Sequence, residues 1–170
     1  MKQLVFNSTL LIYLTKAGLS QVFESLKGEK LTSPVVKKEV VEEGKRKGVP
    51  DAVVLEKLFE NDVFEVCEPQ DKGFVARLLK TCGFHVADAE VLALARECEG
   101  TAVIDDEVAM KTAKVYGIDY VGTPYVLMRA MCEGLISKEE AKLALNEMIS
   151  MGWRCSVESY AKIMEVLEKL

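Results

Sequence analysis

The acids of this sequence fall where they could do chemistry together. Asp105 and Asp106 end the apolar run Thr101-Ala102-Val103-Ile104 and open a helical run from Glu107 to Tyr116. Asp88 and Glu90 open another helix, in Ala87-Asp88-Ala89-Glu90-Val91-Leu92-Ala93-Leu94-Ala95. Glu39 sits in a third, among Val35, Val36, Val40 and Val41. Acids just past the ends of parallel strands can converge above one sheet edge. Converging carboxylates repel each other unless a cation or shared protons compensate, so the set points to a divalent metal site.

Each acid also has to be weighed alone. Asp88 and Asp106 stand at helix starts, where Asp accepts backbone N–H bonds and complements the helix dipole. Glu90 and Glu107 lie in first helical turns and share that explanation. Glu39 does not. It follows Val36 by three residues and Val35 by four, so it shares their inward stripe. A carboxylate at the edge of an apolar face needs a partner, and no cap accounts for it. Ser8 and Thr9 are candidate polar ligands after the first apolar run, though helix capping explains one of them equally well.

The elements that must position these residues alternate regularly. Strands are expected over Gln3–Phe6, Lys30–Thr32, Val63–Cys67, Thr101–Asp105 and Tyr120–Gly122. Helices are expected over Ser8–Ala17, Ser20–Lys27, from Pro34 to about Gly44 or Gly48, Asp51–Glu60, Asp71–Lys80, Asp88–Glu99, Asp106–Tyr116, from Pro124 on, Lys138–Met151 and Val157–Leu170. Ser33 and Thr123 each read as a cap followed by Pro at the first helical position. Ser137 and Glu140 form a capping box. This alternation predicts a single α/β domain over residues 1–170 with a mostly parallel sheet. In such sheets ligands bind outside the carboxyl ends of the strands, which would gather Asn7, Asp105 and Asp106. The apolar stripe of the last helices (Leu143, Leu145, Met148, Ile149, Tyr160, Ile163 and Leu167) is expected to pack on the chain's own sheet.

Composition excludes several classes. A chain of 170 residues with 49% hydrophobic and 29% charged residues is ordinary for a soluble globular domain. No apolar stretch approaches the roughly 20 residues that span a bilayer, and the start is too soon polar for a secretory signal, so the expected location is the cytoplasm and no membrane partner is expected. Five cysteines, at 67, 82, 98, 132 and 155, include no Cys-x-x-Cys pair. They read as free, mostly buried thiols, with Cys98 and Cys132 as packing residues, and not as a zinc or disulfide framework. The single histidine, His85, reads as a satisfied residue before a helix. The net charge of −5 gives no sequence-wide nucleic-acid footprint. The basic clusters Lys37-Lys38 and Lys45-Arg46-Lys47 read as solvated helix faces. No glycine-rich phosphate cradle follows the first strand. No aromatic platform for stacking bases is evident.

Four segments carry a resemblance. Leu4-Val5-Phe6-Asn7-Ser8-Thr9-Leu10-Leu11-Ile12, Ser33-Pro34-Val35-Val36-Lys37-Lys38-Glu39-Val40, the Ala87–Ala95 run, and Ala102-Val103-Ile104-Asp105-Asp106 followed by Val121-Gly122-Thr123 stand in the order of the PIN-domain superfamily. The tail, from Leu135-Ile136 to Gly152-Trp153-Arg154, resembles the small prokaryotic PIN-like group with extra C-terminal helices. The resemblance implies a three-layer α/β/α sandwich on a five-stranded mostly parallel sheet, a core over about residues 1–126 and a helical extension over about 127–170. It implies Mg²⁺- or Mn²⁺-dependent endoribonuclease activity on single-stranded RNA, often as the toxin of a toxin–antitoxin pair, with a protein inhibitor and a homodimer as partners.

By position, Glu39, Asp88 and either Asp105 or Asp106 match the second, third and fourth family acids, as catalytic residues and metal ligands. Ser8, Thr9 and Glu90 are auxiliary. The first family acid falls on Asn7, which can coordinate a hard cation through its amide oxygen but without charge. Three readings follow: an enzyme weakened by Asn7, natural or introduced; a non-catalytic PIN-fold module that binds RNA or a protein; and an unrelated α/β domain whose acids are caps.

Overall fold

The short apolar runs pair side by side. In the computed structural model, which describes residues 2–80 and 83–170, β1 (Leu4–Phe6), β2 (Lys30–Thr32), β3 (Glu65–Val66), β4 (Thr101–Val103) and β5 (Asp119–Val121) form one sheet in the order β3-β2-β1-β4-β5. Every neighbouring pair is parallel. Parallel strands are covered on both faces, which is why β1 is apolar at successive positions, with Leu4, Val5 and Phe6 all buried. The edge strand β3 is shorter than the expected Val63–Cys67. Among the described residues its only neighbour is the three-residue β2, and both its residues are exposed.

The helices are α1 (Ser8–Lys16), α2 (Gln21–Ser25), α3 (Pro34–Lys37), α4 (Gly44–Arg46), α5 (Asp51–Glu60), α6 (Lys72–Leu79), α7 (Val86–Glu97), α8 (Glu107–Tyr116), α9 (Thr123–Cys132), α10 (Lys138–Ser150) and α11 (Val157–Lys169). A π-helical segment, Lys38–Glu43, joins α3 to α4 without a break. Helix α7 packs on β1 and β4 with α6 and α8 beside it, while α1 packs on α5 and α10. The result is a three-layer α/β/α sandwich. Phe6, Phe23 and Phe64 meet edge to face in its core, with ring centroids 5.4–5.9 Å apart.

Local signals set several boundaries as expected. Ser33 Oγ accepts from the Val36 N–H at 3.2 Å with Pro34 next in line, and Ser137 and Glu140 close a reciprocal capping box. Two readings are corrected. Thr123 is no cap: α9 begins at Thr123 after Gly122, and the Thr123 hydroxyl is spent elsewhere. The thiols are less buried than expected. Cys67, Cys98 and Cys155 are half-buried, Cys132 is exposed, and Cys82 lies outside the described residues. The C-terminal stripe packs inward at Leu145, Met148 and Leu167, but Leu143 faces solvent. Among the described residues no helix is long and apolar enough to cross a membrane.

Candidate active site

Strand order reverses around β1: the chain moves outward to β2 and β3, then returns to β4 and β5 on the other side. The crevice of such a sheet opens at the carboxyl ends of the strands flanking that switch. Asn7 follows β1 directly, Asp105 and Asp106 follow β4 by two and three residues, and the N-terminus of α7 brings Asp88 to the same edge. One pocket of about 290 Å³ is lined there by Asn7, Ser8, Thr9, Glu39, His85, Ala87, Asp88 and Asp106.

Each of these side chains is held by its own element. Asn7 is buried and caps α1, its Oδ1 accepting from the Ser8 N–H at 2.6 Å. Its amide Nδ2 donates to Asp88 Oδ1. Ser8 Oγ donates to Glu39 Oε2 at 2.5 Å, which supplies the partner that Glu39 lacked in the sequence. Glu39 lies in the π segment between buried Val36 and Val40. Wide π turns occur often at functional sites, because they re-aim one side chain without breaking the helix. Helix α7 begins at Val86, two residues before the expected start, so Asp88 lies inside the first turn and is not the cap. It is buried at 5% exposure.

Asp105 and Asp106 are separated by the fold. Asp106 caps α8, its Oδ1 accepting from the Ala109 N–H at 2.8 Å, and lines the acidic pocket. Asp105 is not in that pocket's lining. It accepts from the Thr123 N–H at 2.8 Å, the Thr123 hydroxyl at 2.5 Å and the Trp153 indole N–H at 3.1 Å. Gly122 permits this approach, since a Cβ there would stand 3.1 Å from Asp105 Oδ1. Glu90 lies two residues beyond Asp88, outside the pocket lining, with its Oε2 buried and, among the described residues, without a hydrogen-bond partner.

The electrostatics follow from this crowding. Burial pushes Asp88 up to about 6, and the nearby charges of Asp106 and Glu39 push the same way. His85 and the Asn7 amide act against that rise. His85, expected to be a satisfied residue, is exposed at the N-cap position of α7, makes no capping bond from its side chain and faces the acids.

The lining offers carboxylate, amide and hydroxyl oxygens with the His85 imidazole beside them and no thiolate, donors that suit a divalent cation. Among the described residues, however, no three His, Cys, Asp or Glu side chains come together closely enough to form a metal cluster by themselves. A divalent ion shared by Glu39, Asp88 and Asp106 would therefore have to be held partly through water. Sequence reasoning missed Trp153, Thr123 and Arg154. Trp153 and Thr123 hold Asp105, and Arg154 lines the hollow beside Asp106. Only the order of the folded chain brings Trp153 to the end of β4.

A search of curated proteins finds no match. A family model described as PIN domain matches residues 3–169, and PIN domains are generally dependent on a divalent metal. The match spans nearly the whole chain, including the segment beyond α9, and the three-layer α/β fold is consistent with it: this chain belongs to the PIN-domain family.

Proposed function

We propose that this chain is a PIN-type, Mg²⁺- or Mn²⁺-dependent endoribonuclease whose activity is blunted by Asn7. The observation that carries the reading is the meeting of Glu39, Asp88 and Asp106 in one pocket, where burial and like charges raise Asp88 to about 6. Carboxylates held in mutual repulsion, with no Lys or Arg among the described residues of the pocket lining, are what a divalent cation relieves. Glu39, Asp88 and Asp106 would hold the ion, directly or through water, with the Asn7 amide oxygen as a neutral fourth donor. A bound ion would supply an activated water and neutralise charge on the scissile phosphate.

The chain's own residues do the rest. The Ser8 hydroxyl fixes the Glu39 carboxylate. The cap bond to Ala109 fixes one oxygen of Asp106 and leaves the other free for the pocket. Thr9, on the wall between this pocket and the next, is placed to orient water or the RNA backbone. RNA as substrate is suggested by the family; its being single-stranded, and a place as the toxin of a toxin–antitoxin pair with a protein inhibitor, are part of this proposal. The exposed Leu143, Val157 and Leu170 on the outer helices offer surface for that inhibitor or for a second copy of the chain.

Incubation of single-stranded RNA with Mn²⁺, for the chain as it stands and for Asn7→Asp, tests the proposal. Weak cleavage that rises at least about tenfold in the variant supports it, because adding a charged ligand tightens hard-cation binding. A second reading has its own support. The Asn7 amide already donates to Asp88, so one acid is satisfied without any ion. This favours a non-catalytic module that binds RNA or a protein partner. Absence of cleavage in both chains, with no effect of Mn²⁺ on the melting temperature of either, would decide for it.

A further inference from the structure

The acidic pocket does not end at Asp106. A hollow of about 260 Å³ continues from it, sharing Thr9 and Asp106, and is walled by Tyr13, Trp153 and Arg154. A third hollow, of about 490 Å³, shares Asp105, Trp153 and Arg154 with the second and extends between α9 and the start of α11. We propose that this third hollow is a nucleotide subsite, in which the base next to the scissile phosphate stacks on Tyr125 and its phosphate is held by Arg154. The proposal rests on the nuclease reading and names where that enzyme grips its RNA.

The lining has the composition such a subsite needs. Tyr125 is 40% exposed and lines the hollow with Met110, Pro124 and Ile163, giving an aromatic face in an apolar slot. Aromatic faces bind single-stranded bases without demanding a sequence. The volume lies in the range of small-ligand sites.

The charges are sorted as well. Asp105 is covered by Thr123 and Trp153. Glu107 pairs with Lys111 at 2.6 Å, and Lys162 with Glu158 at 2.6 Å. Arg154 is exposed and, among the described residues, makes no salt bridge, although it lines both the second and third hollows. An unpaired guanidinium between an acidic pocket and an aromatic slot matches a phosphate linking two nucleosides.

The backbone fixes this arrangement. Gly152 has φ +104°, a conformation few other residues adopt, and turns the chain after α10. The Trp153 N–H then bonds Met148 O at 2.9 Å, and the indole N–H reaches Asp105. Trp153 thereby ties the C-terminal extension to the end of β4 and sets Arg154 between the two hollows. The extension thus forms one wall of the groove. The exposed aromatic residue of the groove, which the linear sequence did not single out, is Tyr125, with the buried Trp153 behind it and Tyr13 in the neighbouring hollow.

Fluorescence anisotropy of a labelled single-stranded oligoribonucleotide in EDTA, which prevents cleavage, tests the subsite on the full chain. Tyr125→Ala is expected to weaken binding about tenfold, and Tyr125→Phe to stay within about twofold of the parent. Arg154→Ala is expected to weaken binding and to lower the slope of log affinity against log salt by about 0.7, the signature of one lost single-strand phosphate contact. A 2-aminopurine base in the oligonucleotide should be quenched by the parent and recover brightness with Tyr125→Ala. Both residues are exposed, and an unchanged melting temperature confirms folding. If Tyr125→Ala and Arg154→Ala bind RNA as the parent does while Mn²⁺-dependent cleavage by the chain or by Asn7→Asp persists, the subsite is overturned and the nuclease reading stands. If the parent does not bind RNA and Asn7→Asp does not cleave it, both fall.

Discussion

The acidic pocket and the groove beside it meet at the Asp105–Asp106 pair and treat their charges in opposite ways. On the groove side, Asp105 accepts three hydrogen bonds, two from Thr123 and one from Trp153. On the pocket side, Asp88 has one donor, the neutral Asn7 amide, and faces the charges of Asp106 and Glu39 from a buried position. A carboxylate surrounded by donors holds the fold together. One left among other carboxylates stores repulsion that a ligand can release. Two adjacent residues of the same type thus do different work, and substitutions should tell them apart.

The largest effect is expected at Asp105. Asp105→Ala leaves the Thr123 and Trp153 donors unpaired, and hydrogen bonds to a charged group are worth roughly 1.5–3 kcal/mol each, with partial solvent rescue at this half-buried position. A loss of about 3 kcal/mol is expected in urea or thermal unfolding, with the Mn²⁺ response of any folded protein retained. If Asp105→Ala were as stable as the parent, the contrast between the two regions would be broken. Asp88→Asn should act in the other direction. Because folding raises this acid from 3.8 to about 6, the native state binds the proton more tightly than the unfolded chain does. The contribution of Asp88 to stability is therefore highest below its unfolded value and falls as pH rises through the window between the two, by an amount on the order of 2–3 kcal/mol. Asn removes that charge and can still accept from the Asn7 amide. The variant should exceed the parent in stability near pH 7.5 and equal it near pH 3.5, as read by denaturant midpoints at both values.

A cation should mimic that rescue only where Asp88 is ionised. Mn²⁺ at roughly a hundred times its Kd would stabilise the chain by about 2.7 kcal/mol. That gain should be clear near pH 7.5 and shrink near pH 5, where binding must first displace the proton from Asp88. Equal shifts of melting temperature at the two pH values would place the ion away from this acid.

The parts of this contrast that were legible in the sequence are those with local causes. Ser33 before Pro34, the Ser137–Glu140 box and the apolar triplet of β1 state their structures in a few adjacent residues, and the alternation of strands and helices gave the parallel sheet. Glu39 was singled out because an acid on an apolar stripe needs a partner. That partner, the Ser8 hydroxyl, lies 31 residues away and could be named only as a candidate ligand. The choice between Asp105 and Asp106 could not be made from sequence. Both follow β4, and the decision belongs to Gly122, Thr123 and Trp153, which draw Asp105 toward the groove across the fold. Asp88 looked like a cap because helix starts attract Asp. The helix in fact begins at Val86, so the side chain is buried against Asn7 instead. His85, likewise, gives no sign in one dimension that it will face three acids.

The smallest expected effect separates ligand from scaffold most sharply. Asp106→Ala removes one helix-cap bond, to the Ala109 N–H, at a loss of about 1 kcal/mol. It also removes a charge that raises Asp88, so part of that loss is returned above pH 6. The net change near pH 7.5 should fall below about 1 kcal/mol, within reach of denaturant titration against the parent. The Mn²⁺-dependent rise in melting temperature, by contrast, should be abolished or nearly so. A substitution that barely alters folding but removes the response to the ion marks a ligand. One that alters folding strongly and keeps the response marks scaffold, and Asp105→Ala is expected to be that second case. If the two variants exchanged these behaviours, the acid of the site would be Asp105, and the direction of the pocket would have to be reassigned to the groove side of β4.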